Sequence, residues 1–213
     1  MSGAKLFVAC RRPVRTLLLL LALTTIVYLR RAHMAALPNL FGGQPVFVHE
    51  AFIFAAFLSM AIAVGLRTGM ESWERVAARR LYLWRLGYVL TLVSIVIILL
   101  SIALRGVEVA PLGRLAVLRN VLGFAGLTLL GVTFFGSRGS WILPLPIVLA
   151  YLLIGSVMLL SSRVPWWAWP YRGGHDAVAW CLSTTLLIAG LVSYSLHLPA
   201  EQEEEPPELA GEI

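Results

Sequence analysis

The sequence is short of charge, of lysine and of cysteine, and each shortage closes off a class of protein. Of its 213 residues only 13% are charged against 59% hydrophobic, and the mean hydropathy is +0.84. Soluble domains carry roughly a quarter of their residues as charge, so this chain has too little polar surface to face water on all sides. Its expected solvent is largely lipid. Lysine occurs once, at Lys5, and no G-x-x-x-x-G-K-[ST] sequence is present; the chain is not itself a P-loop ATPase. The two cysteines, Cys10 and Cys181, form neither a C-x-x-C pair nor a metal-ligand spacing, which leaves redox chemistry and a zinc site without support.

Seventeen basic residues against eleven acidic ones give a net charge of +6. On a soluble protein that excess suggests nucleic acid as a partner. Here the basic residues lie between apolar blocks, so they read as topology signal and headgroup contact, and no nucleic-acid partner is expected.

What the chain does have is apolar runs. A bilayer core about 30 Å thick needs about 20 apolar residues as helix, because lipid leaves bare backbone groups unpaired. Six blocks qualify: 14–36, 46–66, 86–104, 115–135, 141–161 and 177–198. No long segment alternates apolar and polar residues as a membrane barrel strand does. The expected fold is all-α, one polytopic bundle over residues 1–199, with 200–213 as a disordered acidic tail rich in Glu and Pro. The first block is the least regular, since Arg30 and Arg31 interrupt it. A secretory signal peptide competes there, with Arg11, Arg12 and Arg15 as its basic region and Leu17 to Leu21 as its apolar one. The paired arginines separate that run from any small-residue cleavage site, and a retained helix is the reading adopted. With the N-terminus inside, ten Lys and Arg fall on the cytoplasmic side and seven outside, so both termini are expected in the cytoplasm of a cell-membrane protein.

The connection between the second and third blocks, Thr68 to Arg85, carries Trp73, Val76, Ala77 and Leu81 on one stripe, with Glu74, Arg75, Arg79 and Arg80 largely off it. That pattern predicts an amphipathic helix in the cytoplasmic interface. It serves equally a lever on which a partner pushes and a connector whose arginines grip anionic headgroups.

Other candidates read more plainly. Arg119 and Asn120 open the fourth block and Gly123, Gly126 and Gly131 follow, which predicts a tight helix contact with Arg119 reaching the interface. Glu50 lies at shallow depth beside His49, and Arg119 or water is its expected partner. His33, His49 and His175 fall on the outer side and His197 at the inner end of the last block, so haem ligation by facing helices is not expected; a weak surface metal site from the three outer histidines is the minor alternative, and no metal is the reading adopted. No nucleophile and base share a depth, and the nearest fragment, His49-Glu50, lacks the second histidine of H-E-x-x-H. The chain is read as no enzyme, with no cofactor. Pro144 and Pro146 fit either a helix start or a hinge.

The plan as a whole resembles the six-helix membrane subunits of ABC-2-type exporters. The resemblance rests on the basic segment before the first block, the Glu71-x-Trp73-Glu74 connector, the Arg119-Asn120-x-Leu122-Gly123 stretch, Ser140 to Pro144, and Trp166-Trp167-Ala168-Trp169-Pro170. It implies a permease subunit, possible as a homodimer, whose connector receives the motion of a separate ATP-binding subunit through Glu71, Trp73, Glu74 and Arg75. The chain departs from better-marked members in lacking a sizeable extracellular domain. A non-transporting accessory or scaffold protein of a larger membrane complex is the alternative.

Overall fold

A computed structural model describes residues 11, 13–37, 45–67, 81–109, 112–160 and 164–196. The chain is mostly helical. In order, the described elements are α1 (Pro13–Leu29), β1 (Met34–Leu37), β2 (Val46–His49), α2 (Ala51–Leu66), α3 (Leu81–Ala103), α4 (Arg114–Phe135), α5 (Pro144–Leu160), a 3-10 helix (Trp166–Tyr171) and α6 (Ala177–Leu196).

Three helices, α3, α4 and α6, are long and apolar enough to cross a membrane, and α1, α2 and α5 are shorter apolar helices. Burial ranks them. Within its apolar window α4 is 78% buried, against 33% for α3 and 22% for α6; α1 packs on α2 and α3, while α4 is the helix on which α2 and α6 chiefly pack. Its sequence allows that role, because small residues let neighbouring backbones approach closely. A Cβ at Gly126 would overlap the Leu186 backbone of α6, and one at Gly190 would lie 2.5 Å from the Gly126 carbonyl. The α4–α6 contact is therefore backbone against backbone. On another side α2 offers Ala51, Ala55, Ala56, Ala61 and Ala63 as buried residues, and the Ser59 hydroxyl bridges Ala55 O at 2.8 Å and Val121 O of α4 at 3.1 Å.

Two apolar blocks are not helical throughout. Residues 34–36 and 46–49, read as parts of the first and second spans, instead pair antiparallel, with Met34 opposite His49 and Ala36 opposite Phe47. The first helix stops at Leu29, where Arg30 and Arg31 leave the apolar environment, and the second begins only at Ala51. Val46 and Val48 are β-branched and suit the extended form. At the other boundary the connector is shorter than expected, since Leu81 to Arg85 form the first turn of α3.

Pro144 is the first residue of α5, where its missing N–H costs nothing, and the next amide, Leu145 N–H, donates to Trp141 O at 2.9 Å. The helix-start reading of the prolines holds. Gly136 closes α4 with φ of +73°, a backbone state that favours glycine.

Candidate functional site

An arginine in an apolar helix brings five N–H donors that must be paired or left at a cost of kilocalories each. Arg119, in the second turn of α4, is wholly buried, as is Asn120 beside it. The terminal nitrogens find backbone carbonyls, while Nε is buried without a partner. Nη1 donates to Gly173 O at 2.8 Å, and Nη2 points at Trp169 O at 2.8 Å and Arg172 O at 2.9 Å, with Asn120 Oδ1 at 3.2 Å. Asn120 Nδ2 adds a bond to Pro170 O at 3.1 Å.

Those carbonyls are available because of the local sequence. The segment Trp166–Tyr171 forms a 3-10 helix with Pro170 inside it; Trp169 O takes Arg172 N–H at 3.2 Å and Gly173 O takes Asp176 N–H at 3.1 Å, and each keeps a second lone pair for Arg119. Arg119 supplies the donors from α4. Trp169 then stacks against Phe124, with ring centroids 5.4 Å apart and planes at 49°, and its ring occupies the space a Cβ at Gly123 would need. Arg119 thus packs inside the bundle and does not reach the interface.

A second arginine extends the knot. Arg172 grips both carboxylate oxygens of Asp176 at 2.9 and 3.0 Å and donates to Val164 O at 2.9 Å. Asp176 Oδ1 accepts Ala179 N–H at 2.8 Å and so caps α6. Burial opposes ionisation of Asp176, but the Ala179 amide and the Arg172 guanidinium outweigh it and hold the carboxyl below its usual range. Tyr171 donates to Tyr151 O at 2.9 Å, and burial pushes its hydroxyl pKa up. One loop thereby ties α4, α5 and α6 together.

At the same end, Phe52, Asn120, Phe124, Tyr151, Pro170 and Tyr171 line a crevice with about 310 Å³ of empty space including its open mouth. Its polar groups are already hydrogen-bonded to the backbone. Beside it, Glu50 takes two bonds of 2.6 Å from Arg30, Nε to Oε2 and Nη2 to Oε1. Arg30, not Arg119, is its partner, because the ribbon folds the end of α1 back onto the start of α2. The Arg30 hydrogen bond, helped by the guanidinium charge and opposed by burial, holds the Glu50 carboxyl below its usual range.

The opposite end has its own cluster. Arg11, 1% exposed, donates to Tyr194 Oη at 2.9 Å near the end of α6, and its guanidinium lies 5.5 Å from the Tyr88 ring centroid in α3. Arg85 is also buried there, one turn before Tyr88. The start of α1, the start of α3 and the end of α6 therefore meet. The expected coupling residues Glu71, Trp73, Glu74 and Arg75 lie outside the described residues. Among the described residues no three His, Cys, Asp or Glu side chains stand close enough to hold a metal.

Compared with protein-family models, with curated proteins and with solved structures, the chain matches none.

The Arg119-Asn120 pair is visible in the sequence as a polar step in an apolar run. Its partners are not, because four backbone carbonyls 50 to 54 residues away carry no signal of their own.

Proposed function

We propose that the chain is a permease subunit of an ABC-type exporter, crossing the cell membrane six times with both termini in the cytoplasm and working with a separate ATP-binding subunit. The observation that carries this reading is the Arg11–Tyr194 bond. It brings the start of α1 to the end of α6 and to the start of α3, which is the end from which the connector 68–80 leaves the bundle. A partner docked on the connector would meet the N-terminal basic segment on the same face. At the far end the Arg119 knot fixes α4, α5 and α6, so a push on the connector would be delivered to α2 and α3 against a braced frame.

The helix lengths accommodate six crossings. Sixteen residues of α2 rise about 24 Å, and the ribbon at the Arg30 end makes up the depth to the headgroups. Trp166 and Trp167, 65% and 40% exposed, suit the headgroup layer.

The second reading, a non-transporting accessory subunit, draws on the α4–α6 contact, which leaves no passage between those two helices. Purification of the full chain in mild detergent separates the two. A nucleotide-binding subunit that copurifies, and that is lost when Glu71→Arg and Glu74→Arg are introduced together, supports the permease. A bundle recovered without such a partner contradicts it, as does cargo flux in reconstituted vesicles that ignores ATP.

A further inference from the structure

Where the ribbon meets α2 sits a histidine whose ring is engaged at both nitrogens. His49 is 2% exposed. Its Nε2 lies 2.7 Å from Arg31 O, and its Nδ1 accepts Ala51 N–H at 3.2 Å. A carbonyl only accepts and an amide N–H only donates, so the two neighbours select one state of the ring: Nε2 carries the hydrogen, Nδ1 is bare, and the imidazole is neutral. A second proton goes to Nδ1. Two donors then face each other at the first residue of α2, where Ala51 N–H is one of the helix's unpaired amides.

We propose that His49 is a proton-operated clasp, fastening the end of α1 and the ribbon to the start of α2 when neutral and releasing the α2 contact when protonated. One bond survives the change. The Nε2–H to Arg31 O link is a donor contact in both states, so release is confined to the Ala51 side.

The charged groups near His49 are Arg30, Arg31, His33 and Glu50; the Arg31 guanidinium lies over the Tyr28 ring, 4.4 Å from its centroid, and meets His49 only through its backbone carbonyl. Glu50 is the one group that would welcome a positive ring, and it is already engaged by Arg30 at two bonds of 2.6 Å. Neither β1 nor α2 contains a titratable residue, and α5, which packs against β2, contains only Tyr151. His33, the other imidazole near this corner among the described residues, has an exposed side chain. The inference stands apart from the permease reading, since it needs neither an ATPase nor a cargo.

The test is amide hydrogen exchange on the full chain in lipid nanodiscs at about pH 7.5 and about pH 5, corrected for the intrinsic rate, a span that brackets the imidazole titration. Protection over residues 46–54 should fall on the order of tenfold in acid, the scale of one lost hydrogen bond to a charged or buried group. His49→Asn offers an uncharged acceptor to Ala51 N–H and should hold the same protection at both values. His33→Asn should behave as the unaltered chain does. Equal protection at the two values in the unaltered chain overturns the proposal, and so does an acid loss that persists in His49→Asn. Histidine ring-carbon NMR shifts, read on the unaltered chain, provide a measurement that needs no variant. His49 must gain its proton in the interval where protection falls, and a proton gained with protection intact also overturns it.

Discussion

The guanidinium of Arg119 and the backbone carbonyl of Trp169 meet at 2.8 Å although fifty residues separate them. That contact makes one fixed unit of α4 and the loop before α6. It also explains how an apolar helix keeps a wholly buried arginine, because the charge is spread over several carbonyl dipoles of that loop.

Removing those donors should unfold this end of the bundle. Arg119→Met leaves the Arg172 carbonyl without a donor and takes one of two bonds from the Trp169 and Gly173 carbonyls, which keep the Arg172 and Asp176 amides; an unpaired buried acceptor costs about 1–3 kcal/mol, so a loss on the order of 2 kcal/mol is expected. Arg119→Lys should recover only part, since an ammonium cannot reproduce the planar fork. Thermal unfolding in detergent, followed by the fluorescence of Trp169 among the other tryptophans, measures both.

One glycine of α6 and one of α3 predict a contrast of sign. Gly190→Ala drives a methyl to within 2.5 Å of the Gly126 carbonyl and should cost about 1–3 kcal/mol as overpacking. Gly87→Ala in α3 meets nothing within 4 Å. It should be neutral or stabilise by about 0.5–1 kcal/mol through helix propensity. Melting temperatures of the two single variants check the pair.

Acid dependence separates by residue. The Arg30 bond lowers the Glu50 pKa, so native Glu50 binds fewer protons than unfolded Glu50 whose pKa is about 4.3. Its stabilisation is fully present above that value and is lost as pH falls through the lowered native one. Melting curves between about pH 6 and pH 3 should therefore flatten in Glu50→Gln relative to the unaltered chain, within the range set by ordinary carboxylates. Arg30→Glu combined with Glu50→Arg should regain part of what either change alone loses, and high salt should shrink that gain because Arg30 is half exposed.

Hydropathy made the helices legible and left the ribbon hidden. An apolar window reads Met34 to Leu37 and Val46 to Val48 the same way whether they are coiled or extended, so both were absorbed into helices. The correct stops were still in the sequence, as Arg30-Arg31 on one side and His49-Glu50 on the other. The Glu50 partner went astray for the same reason: without the ribbon, the end of α1 has no cause to fold back, and Arg119 looked nearer than Arg30. For the knot, periodicity marks the glycine face of α4 and the polar step at Arg119, but spacing along a chain does not say which backbone carbonyls will turn toward that arginine. The prolines were ambiguous until the Leu145 N–H to Trp141 O bond placed them at a helix start.

A membrane-spanning bundle with its two ends on one side is most directly tested by labelling single cysteines from each face of intact cells, with Cys10 and Cys181 replaced by serine. Arg67→Cys, after α2 at the Arg11 end, and His175→Cys, in the loop before α6, are both exposed positions. Arg67→Cys is predicted to react with an impermeant thiol reagent only after the cells are opened, and His175→Cys to react while they are intact. Labelling of both positions from the same face would contradict the bundle's passage through the bilayer.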